Sequence, residues 1–179
     1  VFGKENVIIG KGSNVAFSDK EFQGNVICPK FTTIKEKSET EITVGASVFL
    51  PDLSRYFKEN EFSNGEFLIG IPGTVGGAVK MNAGAYDWEF SDLVQYIECF
   101  DLNTSNIIKL NKDDINFSYR SSQNLDNKII LSATLQIEKG DIHKIKSNLA
   151  NFNKIRKNSQ PPAIYNAGSV FKNTKDYTA

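Results

Sequence analysis

Seventeen residues from Gly70 to Tyr86, GIPGTVGGAVKMNAGAY, hold five glycines, with Asn82, Ala83 and Ala85 beside them. Little in this stretch can fill a core. A tight turn needs one or two glycines, so a run this dense implies that something approaches the backbone closely. A shorter stretch, GKGSN (residues 10–14), directly follows the apolar run VIIG. Backbone N–H groups stripped of neighbouring side chains can converge on an anion. Thr74-Val75-Gly76-Gly77-Ala78 reads as the start of a short helix, whose N-terminus favours phosphate. Two such loops can grip a pyrophosphate from both sides, so a nucleotide or a flavin is the expected ligand. GKGSN alone is no more than a turn. Val15 breaks the G-x-G-x-x-G pattern and no strand–long helix–strand unit follows, which excludes a Rossmann or P-loop reading.

Outside these loops few residues suggest chemistry. Arg120, in FSYRSS (residues 117–122), is by itself an ordinary surface or salt-bridge arginine. Ser169 stands between Gly168 and Val170, with no G-x-S-x-G elbow around it, so a hydrolase nucleophile is excluded. The single histidine, His143, falls on the polar side of a helix next to Lys144 and reads as solvated. One histidine and two distant cysteines do not make a metal site, so none is expected. Trp88 reads as a partly exposed loop aromatic. Cys28 and Cys99 read as two buried free thiols, which suits a reducing compartment.

The elements that must position these residues are short. VIIG, VAFSD (residues 15–19) and GNVIC (residues 24–28) read as strands. TTIKEK and TEITVGA alternate around Ser38-Glu39 as a hairpin. Phe49, Leu50, Leu53, Tyr56 and Phe57 fall at helical spacing, with Pro51 near the start. VQYIECFDL and NIIKL pair across Asn103-Thr104-Ser105, and IILSATLQIEKG is a further strand. Asp141 is placed to cap a last helix whose stripe is Ile142, Ile145, Leu149, Phe152 and Ile155. Lys154, Arg156 and Lys157 suit its C-terminal turns, and Pro161-Pro162 ends it. Strands outweigh helices, giving an α+β class.

The chain has 179 residues, 21 basic and 21 acidic, with thirteen Phe and six Tyr. That supports a packed core in one large domain or two small lobes. Zero net charge and no basic patch argue against nucleic acid. No polybasic or amphipathic segment points to a membrane, and no signal peptide is visible. The first residue is not Met and the last residues follow a motif at once, so both ends read as cut.

Four segments, in order, resemble the UDP-N-acetylenolpyruvoylglucosamine reductase family of peptidoglycan synthesis, in its shorter form. GIPGTVGGAVKMNAGAY is similar to that family's flavin-binding signature. GKGSN resembles its G-G-G-S-N loop, and FSYRSS its F-x-Y-R-x-S segment. RKNSQPPAIYNAGSVFKN (residues 156–173) resembles its R-x-x-K-Q-P…A-G-S-x-F-K-N segment. The resemblance spans nearly the whole chain. It implies an FAD-binding fold of the vanillyl-alcohol-oxidase (PCMH) type, with two α+β lobes and a separate substrate domain. On that scheme residues 1–23 end the first lobe, 24–158 form the second, and 159–179 begin the substrate domain. A partial chain of this kind is expected to be inactive alone.

The resemblance also implies roles. Gly10, Lys11, Gly12, Ser13 and Asn14 match the first pyrophosphate loop. Ile71, Pro72, Gly73, Thr74, Gly76, Gly77, Ala83 and Gly84 match the second flavin-contacting segment, and Arg156 an arginine near flavin and substrate. Arg120 and Ser169 match the catalytic arginine and the proton-donating serine. Tyr119, Lys172 and Asn173 match substrate-contacting positions. The implied chemistry is NADPH-dependent, through non-covalent FAD, on UDP-N-acetylglucosamine enolpyruvate, in a cytoplasmic monomer. The competing readings are another flavin oxidoreductase of the same fold and a non-catalytic nucleotide-binding module. The sequence departs from the family at Lys11, where glycine is common, at Asp87-Trp88 after Tyr86, where Gly-Gly is usual, and at Ser159, where a lysine is usual. The family's third catalytic residue, a glutamate near its C-terminus, has no counterpart here.

Overall fold

The computed structural model describes residues 5–160 and 171–173. Strand β1 (Asn6–Ile8) pairs in parallel with β2 (Asn25–Ile27). The boundary expected between residues 23 and 24 thus falls between two strands that hydrogen-bond to each other. VAFSD is not a strand. Val15 is 47 % and Phe17 67 % exposed, and an alternating run without a neighbouring strand has no ladder to join.

The main sheet has five strands. The hairpin β3 (Ile34–Ser38) and β4 (Glu41–Gly45) opens it, as the alternation predicts. Helix α1 (Leu50–Glu59) follows, with Pro51 in its first turn and Leu50, Leu53 and Phe57 buried. Each such side chain contributes about 1.5–3 kcal/mol on burial. A 3₁₀ turn (Glu66–Gly70) leads into helix α2 (Val75–Met81). The two-residue strands β5 (Gly84–Ala85) and β6 (Trp88–Glu89) form a small hairpin. Its turn residues, Tyr86 and Asp87, both have left-handed φ (57° and 63°), so a side chain–bearing pair occupies a turn that suits glycine.

Strands β7 (Val94–Asp101) and β8 (Asn106–Asn111) form a hairpin closed by Asn103–Ser105. The short helix α3 (Lys112–Ile115) and strand β9 (Lys128–Gln136) follow. The sheet order is β3-β4-β9-β7-β8, antiparallel throughout. Register aligns Val44, Ala133 and Ile97 across the three central strands, all fully buried. Helix α2 lies against this sheet, on β9 and β4. The charged outer strand β3 and the largely exposed β8 form the edges, which discourages edge-to-edge pairing.

Helix α4 (Ile142–Ser159) is capped by Asp141, whose side chain accepts from the His143 N–H at 2.7 Å. Its apolar stripe is not a core face. Only Ile145 is fully buried, Leu149 and Phe152 are half-buried, and Ile155 is 41 % exposed. The helix packs on the 3₁₀ turn rather than across the sheet. Cys99 is a buried free thiol, but Cys28 is free and exposed, because β2 belongs to a two-stranded pair with an open side.

Candidate functional site

The two glycine loops meet. The Ser13 hydroxyl donates to the Pro72 carbonyl at 3.0 Å. A Cβ on Gly10 would collide with the Thr74 hydroxyl, so glycine there permits the contact. Gly12 has φ of +70°, with open space where its Cβ would point. Lys11 and Asn14 are exposed beside it.

The second loop is held by the segment between β4 and α1 rather than by its own turn. Residues 73–76 run alongside 46–50. The Leu50 N–H donates to Gly73, that of Val75 to Val48, and that of Gly76 to Ala46, at 2.8–3.0 Å. Gly76 is bare because Ala46 sits 3.2 Å from the position of a Cβ. Gly73 has φ of +139°, which L residues rarely adopt. Thr74 is the N-cap of α2, as expected, its hydroxyl accepting weakly from the Gly77 N–H at 3.5 Å. Ile71 and Pro72 flank the contact with the first loop, Pro72 exposed.

Gly77 differs from the rest. It is exposed, has no unusual φ, and its added Cβ would meet nothing closer than Thr74 at 3.7 Å. A glycine inside a helix costs about 0.5–1 kcal/mol relative to alanine. Neither packing nor backbone geometry of the described chain requires it. Together with the open side of Gly12, this leaves a side chain–free ledge where the loops meet. The ledge suits the close approach of a pyrophosphate-bearing cofactor such as FAD.

At the far end of α2 the chain turns back. Asn82 is fully buried with a left-handed φ of 41°. The Ala83 N–H donates to Ala78 and its carbonyl accepts from Phe90, which fixes the start of β5. Gly84 is bare because Trp88 and Arg120 occupy its Cβ direction. Its carbonyl accepts from Arg120 Nη2 at 2.8 Å. Arg120 itself sits in a two-residue turn closed by reciprocal Ser118–Ser121 hydrogen bonds at 3.0 Å, with a left-handed φ of 53°. Its guanidinium lies 4.7 Å from the centre of the half-exposed Tyr119 ring and 3.9 Å from the Glu89 carboxylate.

Arg156 reaches from α4 to Gly70, where its Cδ stands 3.2 Å from the position of a Cβ, beside the Tyr86 hydroxyl. Tyr86 stacks on Phe152 at 4.2 Å and donates to the Phe152 carbonyl at 2.9 Å. Burial raises the Tyr86 phenol above its usual value, and the Arg156 charge pulls it partly back. Trp88, 39 % exposed, lies in β6 rather than a loop and stacks on Phe67 at 6.2 Å.

Lys172 and Asn173 are exposed, and Ser169 lies outside the described residues. Two surface hollows lie away from the glycine ledge: one lined by Arg55, Ile69 and Leu149, the other by Phe67, Trp88 and Lys144. His143 is exposed on α4. Sequence reasoning missed Glu89, whose carboxylate lies 3.9 Å from the Arg120 guanidinium, and Asn82, which donates to that carboxylate and to the Ser118 carbonyl. Asn82 stood inside the glycine block, but nothing local to it pointed to Arg120.

A family described as an FAD binding domain matches residues 2–111. This chain belongs to that family. The chain is 39 % identical to the UDP-N-acetylenolpyruvoylglucosamine reductase of Rickettsia massiliae over 166 residues, 92 % of this chain and 56 % of that protein. It is 38 % identical to the enzyme of that name from Petrotoga mobilis over 174 residues, 94 % of this chain and 57 % of the relative. It thus spans little more than half the length of these curated relatives. The crystal structure of MurB, the enzyme of that name from Thermus caldophilus, superposes with a TM-score of 0.88 at 29 % identity, covering 99 % of this chain and 65 % of the other. Cholesterol oxidase from Brevibacterium sterolicum superposes at a TM-score of 0.51 and 14 % identity, over 74 % of this chain and 30 % of the other, which reports the fold alone. The α+β fold is therefore of the PCMH, vanillyl-alcohol-oxidase type, and its cofactor is FAD. Among the described residues no helix is long and apolar enough to cross a membrane.

Proposed function

We propose that this chain serves the NADPH-dependent, FAD-mediated reduction of UDP-N-acetylglucosamine enolpyruvate to UDP-N-acetylmuramate in peptidoglycan synthesis, working in the cytoplasm as a monomer. The observation that carries this reading is the junction of the two glycine loops at Ser13–Pro72, in a chain similar along most of its length to reductases of that name.

Gly10, Lys11, Gly12, Ser13 and Asn14 on one side, and Ile71, Pro72, Gly73, Thr74, Gly76 and Gly77 on the other, would hold the FAD pyrophosphate. Ala83, Gly84 and Arg156 would border the rest of the cofactor. Bound FAD, held non-covalently, supplies hydride transfer from NADPH to the enolpyruvyl double bond.

The remaining work is electrostatic and acid–base. Hydride addition to an enol ether conjugated to a carboxylate builds enolate charge. A fixed guanidinium, Arg120, stabilises that charge where it develops and orients the carboxylate. Tyr119, beside it, contacts substrate. The enolate carbon then takes a proton from the Ser169 hydroxyl; serine is a weak acid, but an enolate carbon is a strong acceptor. Lys172 and Asn173 reach the substrate next to that serine.

The test is the visible spectrum of the natural full-length protein under anaerobic conditions. Flavin bands that bleach with NADPH and return with the enolpyruvyl sugar are expected. Bands that bleach and do not return with the sugar would overturn the substrate assignment. Bands indifferent to NADPH would overturn the reductant.

A further inference from the structure

The turn that carries Arg120 is short, exposed and backbone-strained, yet its guanidinium is held from two directions. Gly84 accepts from Nη2 at 2.8 Å, and the Glu89 carboxylate faces Nη1 at 3.9 Å. Glu89 is itself fixed. Its other carboxylate oxygen accepts from Asn82 Nδ2 at 2.7 Å. Asn82, with no exposed surface, donates further to the Ser118 carbonyl at 3.1 Å, and its Oδ1 accepts from the Ser91 N–H at 3.0 Å. One buried carboxamide therefore touches both the base of the Arg120 turn and the carboxylate opposite the Arg120 side chain. It does so from the C-cap of α2, whose N-cap, Thr74, stands in the glycine ledge.

A simpler role for Glu89 exists, because it forms a reciprocal capping box with Asp92. That cap needs only an acceptor, and glutamine supplies one. It does not require a carboxylate beside a guanidinium. An unpaired arginine turn at a substrate site would also wander, since its side chain carries large rotamer entropy.

We propose that Asn82 and Glu89 are positioning residues for Arg120. Asn82 aims the Glu89 carboxylate, and Glu89 holds the guanidinium with its remaining N–H donors turned toward an incoming carboxylate. This rests on the reading of Arg120 as the group that meets the enolpyruvyl carboxylate. In the reaction Glu89 acts through the arginine, so the effect of its charge is confined to the step that arginine serves. Its negative charge also offsets part of the arginine's attraction for anions before substrate arrives. Removing that charge therefore loosens the geometry while leaving ground-state binding of the anion intact or tighter.

The test uses the full-length FAD-loaded protein and follows the two half-reactions separately. Glu89→Gln is expected to keep flavin reduction by NADPH within about twofold and slow flavin reoxidation by the enolpyruvyl sugar about tenfold to a hundredfold, with KM for the sugar unchanged or lower. Combined with Arg120→Ala, it should add little further loss. Unchanged reoxidation in Glu89→Gln, or an equal fall in both half-reactions, would overturn the positioning role. Arg120→Ala separates the two levels: if it leaves sugar-dependent reoxidation intact, the substrate reading of Arg120 fails instead. Should Glu89→Gln not retain FAD, Glu89→Asp, which keeps the charge but withdraws it by one carbon, is read by the comparison of the two half-reactions alone.

Discussion

A helical glycine with room for a methyl group separates the needs of the fold from those of a ligand. Gly73 is required by its φ of +139°, Gly76 by Ala46, and Gly84 by Arg120 and Trp88. Gly77 is required by none of these. Replacing it with alanine should raise the stability of the FAD-free protein by about 0.5–1 kcal/mol, the usual gain when a helix loses a glycine. The same methyl group should weaken FAD binding by about tenfold if the backbone there is approached by the cofactor. Thermal unfolding of the FAD-free protein and flavin titration give the two readings. Gain in stability with unchanged affinity would remove Gly77 from the cofactor's path. The same contrast explains why the sequence exposed the ledge and not its reasons. Five glycines in seventeen residues were visible, but which of them answer to the chain's own packing depends on Ala46, Arg120 and Arg156, distant in sequence.

Helix α4 illustrates how the extent of an element can be local in origin while its packing is not. Its extent and its Asp141 cap follow from local pattern. Of its apolar stripe only Ile145 is buried fully, and the helix is tied down by a few specific contacts. The Tyr86 hydroxyl on the Phe152 carbonyl is one of them, and it lies beside Arg156 where that side chain crosses Gly70. Tyr86→Phe keeps the stacked ring and removes the hydrogen bond. The expected loss is about 0.5–1.5 kcal/mol. It should appear as faster amide exchange in the second half of α4, with β7 and β9 unaffected. A uniform change across the sheet would mean that the bond serves global stability rather than the docking of this helix. The strands were legible for a related reason. β3 and β4 alternate and pair in register, and the apolar runs of β7 and β9 find partners too, whereas Val15 and Phe17 alternate and find none. Asn82 and Glu89 were not legible, since their link to Ser118 and Arg120 joins a helix cap to a turn more than thirty positions on.

At the scale of the whole molecule, the net charge is zero at pH 7, and the acids whose ionisation the fold shifts shape how stability changes on the alkaline side. Cys99, between Ile108 and Ile130 in the middle of the sheet, has its thiol pushed up by burial, with Lys128 opposing and Asp101 adding to the rise. Tyr56 and Tyr86 are raised by burial as well. In each case the unfolded chain ionises first, near about pH 8.5 for cysteine and about 10 for tyrosine. Above those values the folded state binds more protons than the unfolded state, so stability falls as pH rises. Tyr96 has the opposite sign. Hydrogen bonding to Lys37 lowers its phenol, while Lys37 is raised by the same contact. The phenol's ionisation therefore supports the fold once pH passes its lowered value, and the Lys37 contribution is lost only as pH climbs through that lysine's raised value. The first decline, beginning near about pH 8.5, is thus assigned to Cys99. Denaturant unfolding measured across the alkaline range should show that decline, and Cys99→Val should flatten its early part while leaving the later tyrosine region in place. An unchanged early slope in the valine variant would mean that the buried thiol does not control it, and that the proton released there belongs to another group.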